Sequence, residues 1–377
     1  MHDLCVQPSH IYYGPGSLKE LPVNIHHPAA VLCREEDILP EVLRRVSDEN
    51  THNMMYFPGI VPELSCVRTV SEKLISAGIR TVIAVGAVPE LDASKAIRIF
   101  AESPDTDIAS LESDGSGCCP SHSIPLIVIP TTADTATGVT RYGVISDLGR
   151  PYFCSHASMV PDCVIMDPDI LQAMESDEIA VSALDSFVNA LESYVSSASQ
   201  PMMENYALEA LQITDSLFRE HISSSKTALE KLMYAHCLGS LAFSNGQLGA
   251  AHALAHASQG AFSIPMPHGA ATSIALRHVL DHNKEACRDR FKKVLSYLGI
   301  GYSCDPADAL ATRLAQYMSE ARIPDSISGF GIKEDEFREK KGKIISTAMH
   351  DGCMKWNPVP VSMDDAAVLL NKMYKGE

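Results

Sequence analysis

No run of apolar residues in this chain approaches the roughly 20 needed to cross a bilayer as a helix. Basic charge is in deficit as well. Lys and Arg number 30 against 47 Asp and Glu, a formal net charge of −17, which argues against a nucleic-acid or anionic-membrane partner. The N-terminal stretch MHDLCVQPSH has no basic segment followed by an apolar one, so no export signal is expected. The 11 cysteines are scattered, with no CxxC and no zinc-ribbon spacing. Without an export signal they read as reduced thiols, in the core or incidental. Repeats, low-complexity segments and long linkers are also missing. These absences leave a cytoplasmic enzyme acting on a small molecule as the expected class.

What is present fits an ordinary globular chain: 377 residues, 46% hydrophobic and 20% charged. In the first half, short apolar runs alternate with helical periodicity. Ala29–Cys33, Met54–Phe57, Thr81–Gly86 and Ile124–Ile129 read as strands, and residues 9–16, SHIYYGPG, as an edge strand and a turn. Residues 37–46, 65–77 and 92–102 have helical spacing, with Gly78 placed to end the second of these. This alternation predicts an α/β domain of nucleotide-binding type with a parallel sheet, over residues 1–176. From about Ser176 the β-rich runs stop. Ser182–Ser193, Met202–Phe218, Lys226–Phe243, Phe291–Leu298, Asp308–Glu320 and Asp364–Tyr374 read as helices, predicting an all-helical domain over 177–377.

Two loops after strands are candidates for holding a dinucleotide. Gly86 to Asp92 joins a strand to a helix N-terminus, where a pyrophosphate would sit. It has one glycine, and Pro89 removes an amide donor. Pro130–Thr140 is rich in hydroxyls, and Thr131, Thr132, Thr135 and Thr140 can offer groups to a phosphate or a nicotinamide amide. An ordinary connection and a threonine-rich turn are the bland readings of the two.

The stretch LGAAHALAHASQGAFSIPMPHGAATSIALRHVLDHN carries the clearest chemistry. His252 and His256 are four apart and share one helix face; His268 follows a Pro-Met-Pro break and opens the next helix. Imidazoles converging this way suit a borderline divalent metal. A lone histidine on an apolar helix is more often a hydrogen-bonded core residue, and two at this spacing also arise by chance. Asp185 and Asn189, again four apart, lie beside an apolar stripe, where a buried carboxylate needs a partner.

The succession PTTADTATGVT, VPDCVIMDPDI, ALDSFVNALESYVS, GAAHALAHASQGAFSIPMPHG and DGCMKWNPVP resembles the iron-containing (group III) alcohol dehydrogenase family, whose fold is that of dehydroquinate synthase. The resemblance runs from YYGPGSL to NPVPVS. It implies an NAD(P)-binding α/β domain, a helical domain, and a divalent metal (Fe or Zn) held by one Asp and three His. Carried onto this chain, the resemblance makes Asp185, His252 and His268 metal ligands and puts Asn189 where the remaining histidine is expected. His256 matches a family histidine near substrate and nicotinamide, the expected proton relay. The family's pyrophosphate loop GGGSxxDxAK is met by Gly86, Asp92 and Lys95, with two glycines and the serine lost, and Asp134 replaces a glycine in the second loop. A homodimer is a further family expectation.

The resemblance implies an NAD(P)-dependent oxidoreductase interconverting a small alcohol and an aldehyde or ketone, metal-assisted with an altered ligand set. Relatives resembling maleylacetate and phosphonoacetaldehyde reductases motivate an alternative: a metal-independent reductase of an anionic oxo-acid or aldehyde, with Arg141, Arg150 or Lys355 holding the anion. A non-redox or non-catalytic member that has lost dinucleotide use is the third reading. Arg34, Glu35 and Glu36 follow the second strand. A carboxylate there favours the ribose hydroxyls of NAD and an arginine the 2′-phosphate of NADP, so both cofactors stay open.

Overall fold

The computed structural model describes residues 5–34, 40–46, 51–55, 61–112, 122–133, 136–148, 150–171, 174–262 and 266–376. The chain divides into two units, Met1–Ala173 and Met174–Glu377. In the first unit, strands β1 (His10–Tyr13), β2 (Ala29–Cys33), β3 (Thr51–Met55), β4 (Thr81–Gly86), β5 (Leu126–Pro130), β6 (Tyr142–Asp147), β7 (Arg150–Ser155) and β8 (Cys163–Met166) form two sheets. The larger has the order β1-β8-β5-β4-β2-β3 and is parallel throughout. β2, β4, β5 and β8 are buried along their whole length. Their continuous apolar runs are what strands covered on both faces require.

Helices α1 (Pro40–Val46), α2 (Leu64–Ser76) and α3 (Val88–Glu102) connect the early strands. Gly78 ends α2 as expected: its φ is +62°, it donates to Ile75 O at 3.1 Å, and Ile79 N–H donates back to Leu74 O at 3.1 Å. The helix expected from Asp92 begins at Val88 instead, because Pro89 is tolerated in a first turn and the Glu90 carboxylate accepts the Ala87 N–H at 3.0 Å. β6 lies outside the main sheet and pairs antiparallel with β7, a strand whose Arg-Pro start hid it in the sequence. Residues 56–57 of one expected strand and 37–39 of one expected helix fall outside the described residues.

The second unit contains α4 (Ser176–Val195), α5 (Pro201–Arg219), α6 (Lys226–Gly246), α7 (Ala250–Gln259), α8 (His268–Tyr297), α9 (Pro306–Glu320), α10 (Glu334–His350) and α11 (Met363–Lys375). α4 is its axis, buried nearly all round from Ile179 onward and packed against α5, α6 and α8. α8 is one continuous helix, so the segment expected at 291–298 is its last part. α10 was not legible in the sequence: it is polar along most of its length, and only Phe337, Ile344, Ile345 and Ala348 are buried. No helix among the described residues is long and apolar enough to cross a membrane.

Arg98 ties α3 to the approach of β8. Fully buried, it donates to Asp162 Oδ2 at 2.7 Å, Ser158 O at 2.5 Å and Val160 O at 2.8 Å; the same Asp162 oxygen accepts Leu126 N–H at 2.8 Å. Arg98→Met keeps the bulk and strands these acceptors. We expect a loss of about 3 kcal/mol in urea unfolding, the low end for a broken buried pair because Asp162 is partly exposed. A change too small to move the urea midpoint would show that the guanidinium is dispensable.

Candidate metal and cofactor sites

The helical unit brings three helix segments together. α4 presents Asp185, Asn189 and Glu192 at helical spacing, α7 presents His252 and His256, and α8 opens on His268. Two glycines permit the approach. A Cβ on Gly269 would lie 2.2 Å from Val181 O and 3.1 Å from Asp185 Cβ; one on Gly249 would lie 2.8 Å from Glu192 Oε1. The starts of α7 and α8 can therefore press directly on α4.

One donor atom from each of Asp185, His252 and His268 lies within 4.8 Å of the others. His268 Nε2 is 3.6 Å from Asp185 Oδ1. Each imidazole is oriented from behind. Buried Glu192 accepts the backbone N–H of Ala251 at 2.8 Å and of His252 at 3.2 Å, and its Oε2 takes the His252 Nδ1–H. His252 Nε2 then carries a lone pair. Gln259 Oε1 is 3.0 Å from His268 Nδ1, while the Gln259 amide donates to Met266 O at 2.8 Å. Asn189 Nδ2 donates to Asp185 Oδ2 at 2.9 Å, which directs the carboxylate.

His252 Nε2 and Asp185 Oδ1 are both buried without a hydrogen-bond partner among the described residues. A lone pair and a carboxylate oxygen left unpaired side by side are costly unless a cation bridges them. Two imidazole nitrogens and one carboxylate oxygen are a ligand set for a divalent transition ion with a position left open. The residues present therefore fit the metal that the resemblance implies. Burial pulls the His252 pKa down, but the hydrogen bond and charge of Glu192, with Asp185 and Asp351, raise it overall. Packing pulls His268 below the usual histidine range, against the pull of Asp185, which favours the neutral imidazole a metal needs.

His256 stands beside this set. Its ring is 5.8 Å from that of His252 and stacks on His268 at 5.4 Å. Its Nδ1 is 2.9 Å from Asp351 Oδ2. Burial would lift the Asp351 carboxyl, but His256 and the Cys353 N–H bring it down to about 2. Glu192, Gln259 and Asp351 were not singled out in the sequence. The only available signals were a carboxylate seven residues beyond Asp185 on the same helix face and the acid in the DGC turn.

In the α/β unit the candidate cofactor residues divide. Gly86 lies at the end of β4 with Thr131 beside it, Thr131 N–H donating to Gly86 O at 3.0 Å; Thr131 Oγ1 is buried without a partner among the described residues. Thr132 follows, half-buried, and Thr135, like Asp134, lies outside the described residues. Asp92 and Lys95 are buried within the unit. Asp92 Oδ2 accepts Val144 N–H at 2.9 Å, and Lys95 Nζ donates to Thr137 O at 2.5 Å and Tyr142 O at 2.7 Å. Burial holds the Lys95 ammonium down to about 8, against the pull of Asp92. Thr140 Oγ1 donates to Thr137 O at 3.0 Å and accepts Tyr142 N–H at 3.2 Å. Together these three brace the segment 136–144 against α3.

Glu90 fills the N-terminus of α3. It is 0% exposed, and its Oε1 takes an ion pair from Arg34 Nε at 2.5 Å. Gly86 has φ +155°, and a Cβ there would lie 2.7 Å from Glu90 Cβ, so this glycine accommodates the glutamate. A carboxylate thus stands where the helix dipole and free amides would hold a phosphate.

The close contact at Gly269 generates a direct test. Gly269→Ala inserts a methyl where the Val181 carbonyl stands, so α8 must move off α4 and carry His268 from Asp185. Affinity for Zn(II) or Fe(II) should fall at least about 10-fold, the scale at which disturbed ligand positioning is felt, while circular dichroism stays native. Unchanged affinity would show that the helix approach does not set the ligand spacing.

Comparison with known proteins identifies the family. Residues 8–168 match the family described as iron-containing alcohol dehydrogenase, and residues 179–374 match the C-terminal part of the Fe-containing alcohol dehydrogenase family. The chain is 28% identical over 383 residues to an NADPH-dependent butanol dehydrogenase of Clostridium saccharobutylicum, covering 98% of this chain and 97% of that protein. It is 27% identical over 330 residues to lactaldehyde reductase of Escherichia coli K12, covering 84% of each. In fold it is similar to the iron-containing alcohol dehydrogenase of Thermococcus thioreducens, with TM-score 0.89, 22% identity and 99% and 100% of the two chains covered. It is also similar to sulfoacetaldehyde reductase of Bifidobacterium kashiwanohense, solved in complex with NAD+, with TM-score 0.84, 21% identity and 100% of both chains covered. The chain belongs to the iron-containing alcohol dehydrogenase family, as a divergent oxidoreductase member acting on alcohols and aldehydes.

Proposed function

We propose that the chain is an NAD(P)-dependent enzyme interconverting a small alcohol and its aldehyde or ketone, with a divalent ion, iron or zinc, held by Asp185, His252 and His268. The observation that supports this most directly is the buried, unpaired His252 Nε2 beside the unpaired Asp185 Oδ1. Bound there, such an ion supplies Lewis-acid polarisation of the substrate carbonyl. Asn189 directs Asp185 through its amide N–H and stands where the resemblance implies a fourth ligand. Glu192 fixes the tautomer of His252, and Gln259 orients His268. His256 carries the proton between the substrate oxygen and solvent, and Asp351 holds its ring. Gly86, Thr131 and Thr132 contact the dinucleotide, a role Thr135 shares by its place in the motif, while Asp92, Lys95 and Thr140 support the second loop.

A second reading has one observation in its favour. The Asn189 amide partly satisfies Asp185 without any ion, as a metal-independent reductase of an anionic oxo-acid or aldehyde would need. Metal analysis of protein purified without chelator, run beside NADH and NADPH fluorescence titration, separates the two. About one ion per chain with dinucleotide binding supports the metal-assisted enzyme, and dinucleotide binding without metal supports the second reading. His256→Ala should lower kcat about 100-fold or more, the range for general acid–base groups, with cofactor Kd unchanged; full turnover in that variant would remove His256 from the proton path.

The cofactor arm of the proposal has its own test. Glu90→Gln keeps an acceptor for the Ala87 N–H but removes a negative charge from the phosphate seat. NADPH should bind at least about three-fold tighter, since removing one like charge at close range is worth about 1 kcal/mol even at the dielectric of bulk water. Weaker or unaltered NADPH binding would show that the dinucleotide phosphates lie elsewhere.

A further inference from the structure

The turn after α10 places a second group of metal-ligating side chains beside the first. Asp351 N–H donates to Ala348 O at 3.2 Å, closing the helix, and Cys353 N–H donates to Asp351 Oδ1 at 2.8 Å. This Asp-Gly-Cys turn brings the thiol back to the carboxylate, and His256 on α7 faces both, its Nδ1 2.9 Å from Asp351 Oδ2. One donor atom from each of His256, Asp351 and Cys353 lies within 4.8 Å of the others, and all three residues are only partly buried. None of them belongs to the set Asp185, His252 and His268.

Bond lengths of ~2.0–2.3 Å at tetrahedral zinc put neighbouring ligand atoms about 3.3–3.7 Å apart, so the triad can close on an ion with small side-chain shifts. A thiolate, an imidazole and a carboxylate form a softer set than two imidazoles and a carboxylate, and thiolate selects thiophilic ions. We propose that His256, Asp351 and Cys353 bind a second divalent cation, of which zinc is the type, next to the first site. On binding, the thiol proton leaves to solvent, the His256–Asp351 hydrogen bond opens, and the single proton of the neutral imidazole moves, by exchange with solvent, from Nδ1 to the other ring nitrogen, leaving Nδ1 free to ligate. Sulfur, nitrogen and oxygen each form one bond to the ion, no electrons are transferred, and a position stays open to water. One consequence rests on the proton-relay reading above: an ion on His256 stops the relay, so excess zinc inhibits.

Cobalt(II) added to the full chain as purified tests the site without reference to activity, because thiolate ligation gives a charge-transfer band in the near ultraviolet. The expected result is a saturable band that disappears in Cys353→Ser and in Cys353→Ala, weakens in Asp351→Asn, and persists in Asp185→Asn, which disturbs only the first set. A band that survives both Cys353 variants, or no band in wild-type protein with native circular dichroism, overturns the proposal. A Cys353-dependent band with turnover indifferent to zinc upholds the site and counts against the relay role of His256 instead.

Discussion

A carboxylate buried to the extent of Glu192 must find donors or lose its charge. It finds them at the start of α7, in the N–H groups of Ala251 and His252 and in the His252 ring. One residue therefore caps a helix N-terminus, neutralises itself against that helix's dipole and fixes the tautomer of an imidazole. Glu192 and Asp185 are seven apart on α4, two turns of one face, so the anchor and the carboxylate of the metal set move together. Gly249 and Gly269 leave room for this contact. Around it, Asn283 and Asn357 bond each other at 2.8 and 3.1 Å, and Asn357 Oδ1 accepts Ala250 N–H at 3.3 Å, tying α8 and the C-terminal segment to the same helix start.

The α/β unit uses the same physics to a different end. Glu90 also caps a helix N-terminus, but that helix stands where a dinucleotide's phosphates are expected, and its counter-ion Arg34 follows β2. Where the resemblance expects two further glycines and a serine, this loop has the bulkier Ala87, Val88 and Pro89, and Glu90 caps the helix that follows. An anion from within the chain competes for a seat whose attraction to anions is a property of the backbone. Asp92 and Lys95, which keep the family motif, bond to backbone groups of 137–144. Their retention is explained by the shape of the second loop, whatever the first loop binds.

How much of this was legible follows from the kind of signal each element leaves. β2, β4 and β5 are continuous apolar runs, and Gly78 sits one residue past a periodic segment, so local pattern found them. Asp185, His252 and His268 were legible through spacing and through the order of motifs. Glu192, Gln259 and Asp351 were not, because their role depends on partners 60, 9 and 95 residues away, and a polar residue at helical spacing reads as a solvated face. α10 was missed for a related reason: its apolar stripe is short and its sequence mostly charged. Motif matching also assigned direct cofactor contact to residues whose polar atoms are engaged inside the unit, since a motif preserves residue identity and says nothing of which way a side chain bonds.

Asn189 stands where the resemblance to the family leads one to expect a histidine. An imidazole there would supply a strong neutral donor; an amide supplies a weaker oxygen and, unlike a metal-bound imidazole, an N–H aimed at Asp185. That N–H satisfies one carboxylate oxygen and leaves the other, Oδ1, turned toward the two imidazoles. Donor strength is given up at one vertex while the direction of a second is fixed. Three protein ligands with an open position are enough for a catalytic divalent ion. The substitution should therefore act first on affinity and on which ion is preferred, and only then on the chemistry. In the proposed mechanism the proton path runs through His256 and Asp351 and does not pass through Asn189.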